Sequence, residues 1–122
     1  MLQEERNIRQ APGDLARRWW ADDYFDLIVW FETSGSVWGF QLCYDRHYSP
    51  RALTWTRAKG YSHAAIDNGE GEGGMHKESP ILVPDGLFDF KSTGDRLAAA
   101  AGDLPPEIKA LVLEKVYGFS RI

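Results

Sequence analysis

The chain has 122 residues, 43% of them hydrophobic and 26% charged, with a net charge of −4. That length and balance suit one globular domain with its own core and argue against a disordered chain. The acidic balance lacks the counterion-release drive for nucleic-acid binding, and the single Cys43 excludes an intrachain disulfide and any all-cysteine metal site. No apolar run reaches the ~20 residues of a membrane span, and the first residues lack the apolar stretch of a signal peptide. The expectation is a cytoplasmic domain with no membrane contact and no cofactor.

Residues 1–13 are mostly polar and end at the Pro12-Gly13 turn signal, so they read as a flexible arm before a domain over 14–122. Asp14 can cap a short helix in which Leu15, Arg18 and Trp19 fall at i, i+3, i+4, ending between Trp20 and Asp23.

From Phe25 to Ile66 short β-branched and aromatic segments alternate with turn residues, the pattern of an antiparallel meander. Phe25 to Phe31 is almost continuously apolar and predicts a central strand covered on both faces. Ser34-Gly35 supports a hairpin loop. The two-residue period then places Trp38, Phe40, Leu42 and Tyr44 of the second strand on one face, the candidate core face. Arg51 to Arg57 forms a third strand with Leu53 and Trp55 together, and Tyr61 to Ile66 a fourth. The glycine-rich stretch from Asp67 to Ser79 reads as a mobile loop, and Pro80 to Pro84 as an edge strand between prolines.

Two helices complete the chain. One runs from a cap at Asp89 or Ser92 to Ala101, with Phe90, Leu97, Ala98 and Ala101 inward and Gly94 as a cost to the helix. The other begins at Pro106 and buries Ile108, Leu111, Val112 and Val116 before Gly118. The predicted class is α+β: an antiparallel sheet of four to five strands packed against two C-terminal helices, with a short N-terminal helix over an end or part of the other face.

Two polar clusters are candidates for chemistry. His63, Asp67, Glu70 and His76 offer the nitrogen and oxygen donors of a divalent metal in a small metal-assisted hydrolase, but their spacing matches no dedicated ligand motif. The competing reading is a solvated acidic loop beside an ordinary strand histidine. Ser62 and His63 point to opposite strand faces and cannot form a nucleophile–base pair, and Cys43 has no basic neighbour in sequence to activate it.

The second cluster, Arg46 to Tyr61, contains no acid, and Tyr44, His47, Arg51, Trp55, Arg57 and His63 could form a binding surface of rings and cations. The competing reading places Trp55 in the core and the arginines at solvated strand edges.

The stretches FDLIVW (25–30), GFQLCYD (39–45), ALTW (52–55) and PILVPDG (80–86) resemble a family of short bacterial proteins of unknown function. That resemblance spans roughly residues 15–117 and implies a stand-alone bacterial cytoplasmic protein, with no activity, cofactor or residue roles attached.

In the absence of a convergent catalytic set, the favoured function is a small non-catalytic binding or interaction protein whose partner is a protein or small molecule. Trp19 and Trp20 cannot both enter one core, so one ring is expected outside it. This predicts a weak homodimer or a partner surface near residues 15–31.

Overall fold

The computed structural model describes residues 1–5, 10, 15–67, 81–84 and 88–119, with backbone only for Asp67 and 81–84. Among the described residues seven strands form one antiparallel sheet in sequence order: β1 (Gln3–Glu5), β2 (Ala16–Ala21), β3 (Phe25–Phe31), β4 (Val37–Tyr44), β5 (Arg51–Thr56), β6 (Gly60–Asp67) and β7 (Ile81–Pro84). Two helices follow, α1 (Phe90–Ala100) and α2 (Pro106–Gly118). The α+β class with an antiparallel sheet and two C-terminal helices is as expected, but the sheet is wider than four to five strands and the short N-terminal helix is absent.

The stretch read as that helix is β2. It pairs with β3 from Ala16↔Phe31 to Ala21↔Asp26, so Trp19 and Trp20 point to opposite faces by strand alternation. Six consecutive cross-strand pairs against an apolar neighbour outweigh the local helical spacing of Leu15, Arg18 and Trp19. Of the stretch read as an arm, Gln3–Glu5 pair with Trp19–Ala21, Leu2 is fully buried in the core, and its amide donates to the Ala100 carbonyl. Where β1 stops, the Gln10 side chain takes over its role at the sheet edge: its amide donates to the Arg17 carbonyl and its oxygen accepts from the Arg17 N–H. The remaining residues of that stretch, 6–9 and 11–14, lie outside the described residues.

One face of the sheet carries the core. Trp20, Phe25, Leu27, Val29, Phe40, Leu42, Tyr44 and Leu53 pack there against Leu97, Leu104, Ile108, Val112 and Val116 of the helical layer. Phe31 and Val37 face each other at the end of the β3–β4 ladder and pack on the same cluster, but the register shifts beside them. Trp30 pairs with Gly39 and Phe31 with Val37, leaving Trp38 as an extra residue in β4. This bulge moves Trp38 off the core face expected for it and onto the outer face, where its ring meets Trp30 edge-on at 6.3 Å.

Both helices serve the inner face. The Asp89 carboxylate caps α1 by accepting from the Ser92 amide, so Asp89 rather than Ser92 takes that role. Pro106 opens α2, with Glu107 in its first turn and Lys115 in its last, both favourable to the helix dipole. Gly94 is required where the helices meet, since a Cβ there would lie 2.6 Å from the Tyr117 ring. No helix among the described residues is long and apolar enough to cross a membrane.

Candidate interaction face

The alternation that fills the inner face determines what stands on the other. On the outer face β2, β3 and β4 present Trp19, Ile28, Trp30 and Trp38, all half-buried and none part of the core cluster. The covering layer expected over the second face of β3 is therefore missing among the described residues. Trp19 is fixed in place because its indole N–H donates to Asp26 Oδ1 at 2.8 Å. An aromatic ring held this way can be contacted with little loss of side-chain freedom.

Beside this ridge the side chains of the outer face are small. The cross-strand pairs of β5 and β6 on that side are Ala52 with Ala64, Thr54 with Ser62, and Thr56 with Gly60. On β4 the neighbours are Cys43 opposite Ala52, Gln41 opposite Thr54 and Gly39 opposite Thr56. Only Gln41 among these is long, and its amide donates to Thr54 Oγ1 at 3.1 Å, lying along the sheet. The outer face thus carries a ridge of tryptophans on β2 to β4 and small side chains on β5 and β6, of which Ala52, Thr56 and Ala64 are buried.

Two ion pairs flank the ridge, and Arg17 stands opposite Trp30 on the same face. Arg46 bridges Asp26 at 3.2 Å, and Arg57 bridges Glu32 at 3.4 Å while donating to the Val37 carbonyl at 2.8 Å. The stretch from Arg46 to Tyr61 contains no acid, yet the fold supplies acids to it from β3 and from the loop after it.

The six residues proposed for a binding surface are divided between the inner face and the loops beside it. Tyr44, Arg51, Trp55 and His63 lie on the inner face, as the registers Tyr44↔Arg51, Phe40↔Trp55 and Leu53↔His63 require. Trp55 packs on the core with the Lys115 ammonium 4.6 Å from its ring, in agreement with the structural reading of that residue. His47 is exposed in the β4–β5 loop, and Arg57 lies beyond the end of β5.

Tyr44 and His63 do converge. The Tyr44 hydroxyl and His63 Nε2 are 2.6 Å apart, with the rings stacked at 6.0 Å between centroids. Phe88 lies 5.1 Å and Phe119 6.1 Å from the imidazole, and Tyr61 meets Phe119 edge-on at 5.4 Å while its hydroxyl donates to the Lys115 carbonyl. These rings close the end of the core between β6, the start of α1 and the end of α2. Of the suggested metal ligands, Glu70, His76 and the Asp67 side chain lie outside the described residues, and among the described residues no three candidate ligands cluster.

A cleft of about 400 Å³ lies by the β2–β3 turn, lined by Asp22, Tyr24 and Arg96 among others. Asp22 accepts there from the Tyr24 and Phe25 amides, and the Arg96 guanidinium sits 3.5 Å from the Tyr24 ring centroid.

Sequence reasoning missed Trp38 as part of the outer face. The signal was only the adjacent Trp38-Gly39 pair, since an isolated glycine in a strand marks a bulge or a close backbone approach. No family model, curated protein or solved structure matches the chain.

Proposed function

We propose that this chain is a small binding or interaction protein that works through the face of its sheet opposite α1 and α2. The observation that carries the reading is the grouping of Trp19, Ile28, Trp30 and Trp38 there, away from the core cluster. A contiguous apolar patch on one small domain is costly to leave in water, and tryptophan is the side chain most enriched at the energetic centres of interfaces. The paired charges around it, Arg46 with Asp26 and Arg57 with Glu32, form a polar rim without a strong field of either sign. That rim suits a protein surface better than a polyanion.

The test is a charge on the ridge. Ile28→Lys leaves the inner face untouched and is expected to keep the fold while weakening partner binding at least tenfold, measured by titration with the partner. Binding unaffected by Ile28→Lys would contradict the reading. So would stoichiometric zinc or manganese in the purified protein that is lost on His63→Ala, because that result favours a metal-assisted hydrolase.

A further inference from the structure

The cleft by the β2–β3 turn is lined by two side-chain charges of opposite sign that no described residue pairs. Arg96, exposed on α1, lays its guanidinium 3.5 Å from the centroid of the Tyr24 ring, and that ring stands edge-on to the buried Phe25 at 4.8 Å. Stacking fixes the plane of the guanidinium and leaves its N–H groups at the rim, where a planar anion is recognised. Among the described residues no carboxylate or carbonyl accepts from them. The acids of the cleft are Asp22 and Asp23. Asp22 is committed: its Oδ1 accepts from the Tyr24 and Phe25 amides, and its Oδ2 lies 3.6 Å from the Met1 ammonium. Asp23 is exposed, and its carboxylate bridges neither Arg96 nor another described cation.

We infer that this cleft binds a small zwitterion of the amino-acid class, with its carboxylate on the Arg96 fork and its ammonium at Asp23. A simple anion would meet the guanidinium but also the carboxylates of the lining. A simple cation would meet the carboxylates but also Arg96, which already covers the Tyr24 ring that a cation would use. A ligand carrying both charges answers both side chains, and the guanidinium can hold its carboxylate with two parallel hydrogen bonds. The space agrees, since about 400 Å³ is at the small end of ligand pockets. Ala21 and Ala100 also line the cleft and leave room for an aliphatic group. None of Trp19, Trp30 and Trp38 lines it, so this inference stands independently of the interaction reading above.

Titration of the full chain with L-leucine, followed by amide proton–nitrogen NMR spectra, tests this. Because both charged side chains are exposed, the expected dissociation constant is on the order of 1 mM. The shifts should centre on Asp22, Asp23 and Tyr24 of the turn and on Arg96 of α1. Two analogues separate the charges: 4-methylpentanoate keeps the carboxylate alone, and isopentylamine the ammonium alone. Each should bind about tenfold more weakly, the usual loss when one charge-assisted hydrogen-bonded contact is removed. Arg96→Gln and Asp23→Asn replace exposed side chains, and each should weaken leucine by a similar factor while the rest of the spectrum shows the fold intact. Absence of shifts up to about 50 mM leucine, far above the expected constant, overturns the inference. So does binding that survives both substitutions, or either analogue binding as tightly as leucine.

Discussion

Cys43 stands on the outer face between Asp26 on β3 and Ala52 on β5. Burial, reinforced by Asp26 and opposed by Arg46, pushes its thiol up from 9.0 to about 12. The sign of the resulting pH effect follows from linkage. The unfolded chain releases this proton first, so the stability gained by keeping the thiol protonated is complete below pH 9 and is lost as the pH rises through about 12. Denaturant unfolding across that window is expected to show a decline that is shallower in Cys43→Ala. Equal slopes in the two proteins would contradict the assignment. The sequence already pointed to an inert Cys43, from its strand position and lack of basic neighbours. Arg46 does approach it in the fold, but burial is the larger effect.

Elements were legible where alternation and chain punctuation agreed. Phe25–Phe31, Val37–Tyr44 and Pro106–Gly118 match the expected segments because their apolar periods, glycines and prolines all indicate the same boundaries. β2 was not legible, since in Arg17-Arg18-Trp19-Trp20 the helical and strand periods are both partly satisfied, and only pairing with β3 decides between them. The bulge in β4 escaped for a related reason: a strict two-residue period has no place for an extra residue. Gly39 is what the bulge requires. A Cβ there would lie 2.5 Å from the Trp55 carbonyl oxygen and 2.9 Å from Thr56 Cα, both backbone atoms of the paired strand. Gly39→Ala is therefore expected to cost roughly 1–3 kcal/mol, the usual range for forced overpacking. Urea denaturation measures it, and a loss below about 0.5 kcal/mol, as at an ordinary surface site, would show that β5 yields freely.

At the scale of the whole molecule, the two faces of one sheet divide the five tryptophans. Trp20 and Trp55 serve the helix-covered side, and Trp19, Trp30 and Trp38 stand on the other. The division of Trp19 and Trp20 between two faces was legible, because two adjacent tryptophans cannot share a core in either a helix or a strand. The place of Trp38 on the outer face was not, since it depends on register between strands. Of the polar cluster around His63 the described residues hold the histidine, which is hydrogen-bonded to Tyr44 and flanked by Phe88 and Phe119.

The central claim is that the tryptophans of the outer face are open to a partner. Hydroxyl-radical footprinting with mass spectrometry, run on the full chain, reads it one tryptophan at a time. The account predicts that Trp19, Trp30 and Trp38 oxidise faster than Trp20, which is buried in the core. Trp20 reacting as fast as Trp19, Trp30 and Trp38 would contradict it.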